Sequence, residues 1–393
     1  MARRPELPRL TRRGGGLLGV GVGLVIVAAP LDSVELGRFA ALAVVLPLIA
    51  IVWGAVASVR TSRVSVERTV HPLPLQVDSP ATVRISARGR SLPRHSRLRE
   101  RSAATLGARP GVSATEYLLR PRARGAAHLG PAVLLRGDPL GLVEFTQRTR
   151  GSDDVVVWPR AIALGDLRQA LVGQTEHRRG AGVVRPSPED LLLREYRRGD
   201  DLRRVHWRSS ARHRDLMVRA DEPASPMTAD LLLQIHSEQR KSDLEWAVSA
   251  AASVAVALLE ERFSVRLRIP GSGAQERTSS ASVPMDTLAL VEPTELGDRR
   301  DALVHEIDEM ARSASAVCVA VLCAPDDHAV ARLADLARAR TCWAVVVPPR
   351  GALPDHVRAT LQVLQAAGWS ATLGHEGARI DQAFGGARAR VAS

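Results

Sequence analysis

Two charge-free apolar runs open the chain, Gly14 to Pro30 with 17 residues and Phe39 to Val59 with 21. At about 1.5 Å of helical rise per residue, the second is long enough to cross the hydrocarbon of a bilayer. Together they predict a transmembrane hairpin anchor over residues 1–60, held in membrane lipid through residues 14–30 and 39–59. Arg3, Arg4, Arg9, Arg12 and Arg13 precede the first run and Arg60, Arg63 and Arg68 follow the second, whereas the loop Leu31 to Arg38 holds one arginine with Asp32 and Glu35. By the positive-inside rule this asymmetry predicts a plasma-membrane protein with two spans, both termini and all soluble domains in the cytoplasm. A cleavable signal ending near Ala28 and Ala29, or a twin-arginine signal around Thr11-Arg12-Arg13, is the rival reading. A second span beginning nine residues later fits a hairpin and not a secreted chain.

The pattern then shortens. Val64–Val66, Ala81–Ala87, Glu116–Arg120, Ala132–Leu135 and Val155–Trp158 are brief alternating segments separated by Pro, Gly and Asp, which predicts a small antiparallel, β-sandwich-like domain over residues 61–163. Residues 164–190 read as a connector rich in Gly, Arg and Pro. Further on, apolar strands alternate with helices: strand Ala229–Ile235, helix Asp243–Phe263, strand Ser264–Ile269, helix Asp298–Arg312, strand Ala316–Cys323, helix Asp326–Arg340, strand Trp343–Val347, helix Pro354–Ala367 and strand Ser370–Leu373. Strands without polar alternation, each reached through a helix, predict an α/β domain with a mostly parallel sheet covered on both faces. Gly271–Val283 reads as a mobile loop and Gly377–Ser393 as a frayed tail.

Composition narrows the chemistry. The net charge of +12 comes almost wholly from arginine, with Lys241 the single lysine, and it is spread along the chain. Six Trp, two Tyr and four Phe are too few for base-stacking platforms, and no helix-turn-helix, zinc-finger or RNA-binding signature accompanies the charge, so no nucleic acid is expected as a partner. Cys318, Cys323 and Cys342 lie in apolar runs without metal-ligand or redox spacing and read as buried thiols of a reducing compartment. No nucleophile elbow, Walker loop, zincin motif or dinucleotide fingerprint is present, so no catalytic residue and no cofactor is assigned.

One stretch departs from this plainness. Leu191 to Glu222 holds nine arginines and four acids between Arg194 and Arg219. Asp200 or Asp201 can cap a short helix with Leu202, Val205 and Ser209 on one face and Arg204, Arg208 and Arg212 at four-residue spacing on another, before a strand at Leu216–Arg219. Such a row can fork onto Glu195, Asp200, Asp201 and Asp215 as an internal network, or onto an external anion. His206 could serve as a base with Asp200 or Asp201, although no activated nucleophile lies beside it.

Arg194, Glu195, Tyr196, Gly199, Asp200, Arg203, Arg204, Trp207, Arg208, Ser210 and Arg212 are the motif and interaction candidates. Their spacing, closing on Leu216, Val218 and Arg219, resembles the signature of the domain of unknown function 58 family. Arg122–Gly125, His128–Pro131 and Asp138–Leu142 look like that family's upstream turns, with Leu140 where an aromatic is common. The resemblance covers most of the chain. It implies that residues 191–393, the signature followed by the α/β part, form a von Willebrand factor A-like, Rossmann-like domain. It further implies work beside a MoxR-type AAA+ ATPase, as an adaptor in assembly or maturation of other proteins. Domains of that type often hold a divalent metal through an Asp-x-Ser-x-Ser loop. Here Gln234 stands in the Asp position, His236 in the first Ser position and Glu238 in the second, a degenerate set for a hard cation, so no metal is expected. The alternative readings are a membrane-tethered hydrolase built on the Arg/Asp/His stretch and a binder of anionic lipid or nucleic acid.

Overall fold

The computed structural model describes residues 8–61, 66–87, 96–100, 109–113, 116–149, 151–165, 167–169, 193–196, 216–219, 227–273, 275–293, 300–323, 325–338, 340–349 and 354–384, with single residues 171, 205, 207, 210 and 211. They fall into two compact units, Met1–Trp158 and Pro159–Ser393.

The first unit begins with a short strand β1 (Arg9–Leu10) and two helices, α1 (Arg12–Leu31) and α2 (Val34–Thr61), both long and apolar enough to span a membrane. Helix α1 buries Gly14, Gly21 and Ala28 at seven-residue spacing, and α2 buries Ala40, Ala43, Pro47, Ala50 and Gly54 at spacings of three and four. Gly21 lets the two backbones approach, as a Cβ there would stand 2.9 Å from Val44 and 3.1 Å from Ala43. Val20, Val25, Ile26, Phe39, Leu42 and Ile49 are exposed on the outside of the helix pair, the surface that suits a lipid environment. The connection is tighter than the eight residues read from the sequence: only Asp32 and Ser33 lie between the helices, and Glu35 and Arg38 belong to α2, where they pair at 3.0 Å. Their charges interrupt the apolar run without interrupting the helix, because an i,i+3 ion pair suits a helix start.

The rest of this unit is β-structure in three small sheets with strand orders β1-β10-β9-β5, β3-β11-β8 and β2-β4-β7-β6. The strands are β2 (Val66–His71), β3 (Leu75–Gln76), β4 (Ala81–Ala87), β5 (Ser96–Glu100), β6 (Arg109–Ser113), β7 (Glu116–Leu119), β8 (Gly125–Leu129), β9 (Ala132–Gly137), β10 (Val143–Arg148) and β11 (Asp153–Trp158). Among the described residues all pairings are antiparallel except that of β3 with β11. Alternation in β4 sends Ala81, Val83 and Ile85 into a core with Leu75, Tyr117, Leu119, Leu129, Leu134 and Val157. In the same unit the Arg68 side chain is fully buried and bonds the Gly151 carbonyl and the Asp153 carboxylate at 3.2 and 3.0 Å. A second cluster of Ala50, Leu142, Val143 and Phe145, flanked by Leu17, Leu46 and Ile51, seats the two helices on β10.

The second unit holds a two-stranded ribbon of β12 (Leu193–Glu195) and β13 (Met217–Arg219), then β14 (Thr228–Leu233), α3 (Lys241–Glu260), β15 (Ser264–Arg268), α4 (Ser282–Leu290), α5 (Arg300–Arg312), β16 (Val317–Leu322), α6 (Asp327–Leu336), β17 (Thr341–Val346), α7 (Pro354–Ala366), β18 (Ser370–Leu373) and α8 (Ile380–Ala383). The five strands from β14 onward are all parallel, in the order β15-β14-β16-β17-β18. Helix α3 is apolar enough to suggest a third span, yet its Ala- and Val-rich surface is largely buried inside this unit. Leu303, Ile307, Met310, Leu333, Leu336, Leu364 and Trp369 pack with Cys318, Ala320 and Ala344 from the strands.

Two sequence expectations change here. Helix α4 takes the last two residues of the segment read as a loop, Ser282 and Val283, and runs on through a stretch to which no element was assigned, where Pro284, Met285, Leu288 and Ala289 are buried. The expected frayed tail is docked as far as Phe384: Trp246 Nε1 donates to the Ala378 carbonyl at 2.7 Å, Thr372 to the Ala383 carbonyl at 2.7 Å, and Phe384 is buried.

Candidate functional site

In a parallel sheet with chain order 2-1-3-4-5, ligands sit beyond the carboxyl ends of the strands, where the connections diverge to opposite faces. That switch point lies between β14 and β16. The residues leaving β14 are Gln234 to Gln239 and the residue leaving β16 is Cys323, so the positions of the degenerate metal loop occupy this place.

Gln234 spans the opening. Its side-chain oxygen accepts from the Cys323 N–H at 3.2 Å, and this fixes the amide so that its nitrogen faces His236 Nε2 at 3.0 Å. An amide nitrogen only donates, so Nε2 accepts and the imidazole proton resides on Nδ1. Gln239 continues the closure: its oxygen accepts from the His236 N–H at 3.1 Å and its nitrogen donates to the Val347 carbonyl, beyond β17, at 3.0 Å. Gln234, His236 and Gln239 are buried, while Glu238 stands exposed. The crevice left beside them, lined by Ile269, Pro270, Ser272, Glu292 and Leu303 in addition to Gln234 and His236, has a volume of about 20 Å³. That is room for a water and not for a substrate.

These donors do not fit a hard divalent cation. Both ends of the Gln234 amide and Nε2 of His236 are already engaged, which leaves the Glu238 carboxylate as one oxygen ligand where six to eight are needed for calcium or an octahedron for magnesium. Among the described residues no three His, Cys, Asp or Glu side chains converge as ligands. Nor does Cys323 supply a nucleophile. Burial first, and the Glu238 charge second, push its thiol up to about 12, so it stays protonated at neutral pH.

A second polar cluster lies on the sheet face covered by α5. Asp230, wholly buried in β14, accepts from Arg268 Nε at 3.2 Å and faces Arg277 Nη2 at 3.8 Å through Oδ1. Its Oδ2 accepts from Ser313 Oγ at 2.5 Å and from the Ser315 hydroxyl. Arg268 also bonds Glu306 of α5 at 3.0 Å, and Arg277 donates to Ser315 Oγ at 2.9 Å. The sequence reading passed over this network. Its one visible signal is an aspartate inside an apolar run, Ala229-Asp230-Leu231-Leu232, with two arginines alternating in Ser264-Val265-Arg266-Leu267-Arg268.

The arginine stretch is closed at its ends. Leu193, Arg194 and Glu195 pair antiparallel with Arg219, Val218 and Met217, and the Tyr196 N–H donates to the Leu216 carbonyl at 2.7 Å. Between these flanks Val205 is buried and Ser210 half-buried. Trp207 is 67% exposed, in contrast to Trp246, Trp343 and Trp369 of the same unit at 7% or less. Gly199, Asp200, Asp201, Arg203, Arg204, His206, Arg208 and Arg212 lie outside the described residues, as do the expected internal network and the base reading of His206. At the start of the segment read as a connector, Leu167 and Leu171 are buried and Arg168 bonds Glu261 at 2.8 Å.

Comparison with known proteins yields one family. The model described as "Protein of unknown function DUF58" matches residues 192–342, starting downstream of the turns at residues 122–142. No curated protein matches the chain. Among solved structures, the PilB minor pilin from Streptococcus sanguinis aligns at 7% identity over 85% of this chain and 93% of its own, with a TM-score of 0.29. A point mutant of the same pilin aligns at 8% identity over 79% and 83%, with a TM-score of 0.30. At that superposition the likeness carries no argument. The family match runs from the paired flank at β12 through the arginine stretch and into β17, and over these residues the chain is similar to the DUF58 family of proteins of unknown function.

Proposed function

We propose that this chain is a membrane-anchored, cytoplasm-facing binding module with a von Willebrand factor A-like domain that acts by surface contact and not by catalysis. The observation that carries the reading is Trp207, two-thirds exposed within the arginine-rich signature. An apolar ring left in water within a run of arginines has the composition of an interface anchor, because Trp and Arg dominate the energetics of protein recognition. The closed switch point supports the same reading, as Gln234 and Gln239 fill with side chain what an enzyme of this topology leaves open for substrate. The family resemblance supplies the partner class, a MoxR-type AAA+ ATPase, in assembly or maturation of other proteins.

Full-length protein captured from membranes in mild detergent should bring down such an ATPase, more in ATP than in its absence. Trp207→Ala should weaken capture about 30-fold, the loss typical of an interface hot spot, without lowering Tm, because an exposed ring contributes little to the fold. Unchanged capture by Trp207→Ala would remove the basis of this reading.

Orientation rests on the arginine asymmetry around the two spans. A reporter joined after Ser393 that is active only in the cytoplasm should therefore work. A reporter active only outside the cell would place the soluble units on the other side and rule out a cytoplasmic ATPase as partner.

A further inference from the structure

The network around Asp230 is electrically unbalanced. Arg266, Arg268 and Arg277 bring three positive charges to one corner of the sheet, against Asp230 and Glu306. The strand register sets this corner: Arg266 lies opposite Asp230 and Arg268 opposite Leu232, so both arginines project to the side of β15 that faces α5. Among the described residues no strand is hydrogen-bonded to the outer edge of β15 along its length, apart from the bridge of Val265 with Thr278 that brings Arg277 back onto the same corner.

The hydrogen bonds are unbalanced as well. Nη2 of Arg268, Nη1 of Arg277 and Nε of Arg266 are each buried and have no partner among the described residues. The Arg268 side chain is only 6% exposed, so bulk water does not serve it. A buried charged donor without an acceptor costs more than a hydrogen bond contributes, and native proteins rarely leave three on mutually interacting arginines. Repulsion is felt within the group: burial first, then the neighbouring charges of Arg266 and Arg268, pull the Arg277 guanidinium below its ordinary pKa, against the attraction of Asp230.

We propose that Arg266, Arg268 and Arg277 form a binding site for one small monovalent anion of halide size. The three arginines outnumber the two carboxylates bonded to them, Asp230 and Glu306, and a small monovalent ion answers that positive balance with the least added charge. The three free N–H groups supply the hydrogen-bonded cradle that a halide takes in place of its water. Entry is from the side of Arg277, which is 22% exposed and lies on the segment between β15 and α4. The site is distinct from the crevice at Gln234 and from the arginine stretch, so it stands or falls independently of the proposed function.

The test is thermal unfolding of the full-length protein in detergent, in sodium chloride and in sodium gluconate at equal ionic strength. An anion bound only to the folded state raises Tm by mass action, by about 3–6 °C when present at ten times its Kd. Chloride and bromide should both give this shift over gluconate. Arg277→Gln should melt cooperatively in gluconate and lose the halide shift, and Arg266→Gln serves the same purpose should Arg277→Gln fail to fold. Equal Tm in chloride and gluconate, or a halide shift that persists in the folded variant, would overturn the proposal.

Discussion

Asp230→Asn should lower the Tm of the full-length protein by about 6–20 °C, the shift expected when breaking a buried ion pair costs about 3–5 kcal/mol in a unit of this size. The carboxylate is wholly buried and receives two hydroxyls on Oδ2 and two guanidinium groups on Oδ1. An amide of the same shape removes the charge that holds Arg268 and Arg277 inside, and it presents a donor to groups that are themselves donors. The contrast is Asp381→Asn. Its partner Arg379 holds that carboxyl below the usual range, but Arg379 is exposed and the pair lies at the surface, so its loss should change Tm little. A protein carrying Asp230→Asn that melts with the wild type would show that the network is dispensable to the fold.

Gly54→Ala should destabilise the first unit, against the ordinary sign of this substitution. In a helix the change usually gains about 1 kcal/mol through backbone entropy. At residue 54, however, a Cβ would overlap the ring of Phe145 in β10, so the ring must leave the cluster it shares with Ala50, Leu142 and Val143. Forced repacking of this kind costs about 1–3 kcal/mol, which outweighs the helical gain. Protease cleavage within residues 132–148 should therefore speed up in Gly54→Ala, while Gly23→Ala, whose Cβ would meet nothing, should not change it. Phe145→Leu in the Gly54→Ala background makes room for the methyl group and should recover part of the loss; two independent, additive effects would argue against direct contact.

What the sequence made legible follows from periodicity. Runs that are buried on both faces, such as Thr228–Leu233, stand out because almost nothing polar interrupts them, and the two spans stand out for the same reason. Strands half in water are harder to see. In β8, Ala127 and Leu129 turn inward, but Gly125, Ala126 and His128 give no apolar beat, and β3 has only two residues. The candidate site was legible as positions and not as bonds. Gln234 and His236 could be placed at a strand end, yet the closure depends on the Cys323 N–H, 89 residues away, and on the Val347 carbonyl, 108 residues from Gln239. The Asp230 network was invisible for a similar reason: Arg268 and Ser315 lie 38 and 85 residues from it, and a single acid in an apolar run leaves the strand reading intact.

The joint between β1 and β10 bears on the order in which the chain is made. Arg9 and Leu10 pair with Glu144 and Val143, and Thr11, which caps α1 through the Gly14 N–H, gives its hydroxyl to the Gly141 carbonyl at 2.7 Å across 130 residues. Both spans emerge from the ribosome long before residue 141 exists. The helical hairpin is made with β1 still unpaired, and β10 can add to β1 only after translation has passed residue 144. Contacts so distant along the chain carry the largest loop-closure penalty and form late. Formation of the helical hairpin and completion of this sheet are therefore separate events in the life of the nascent chain, the second waiting on residues made more than a hundred positions later.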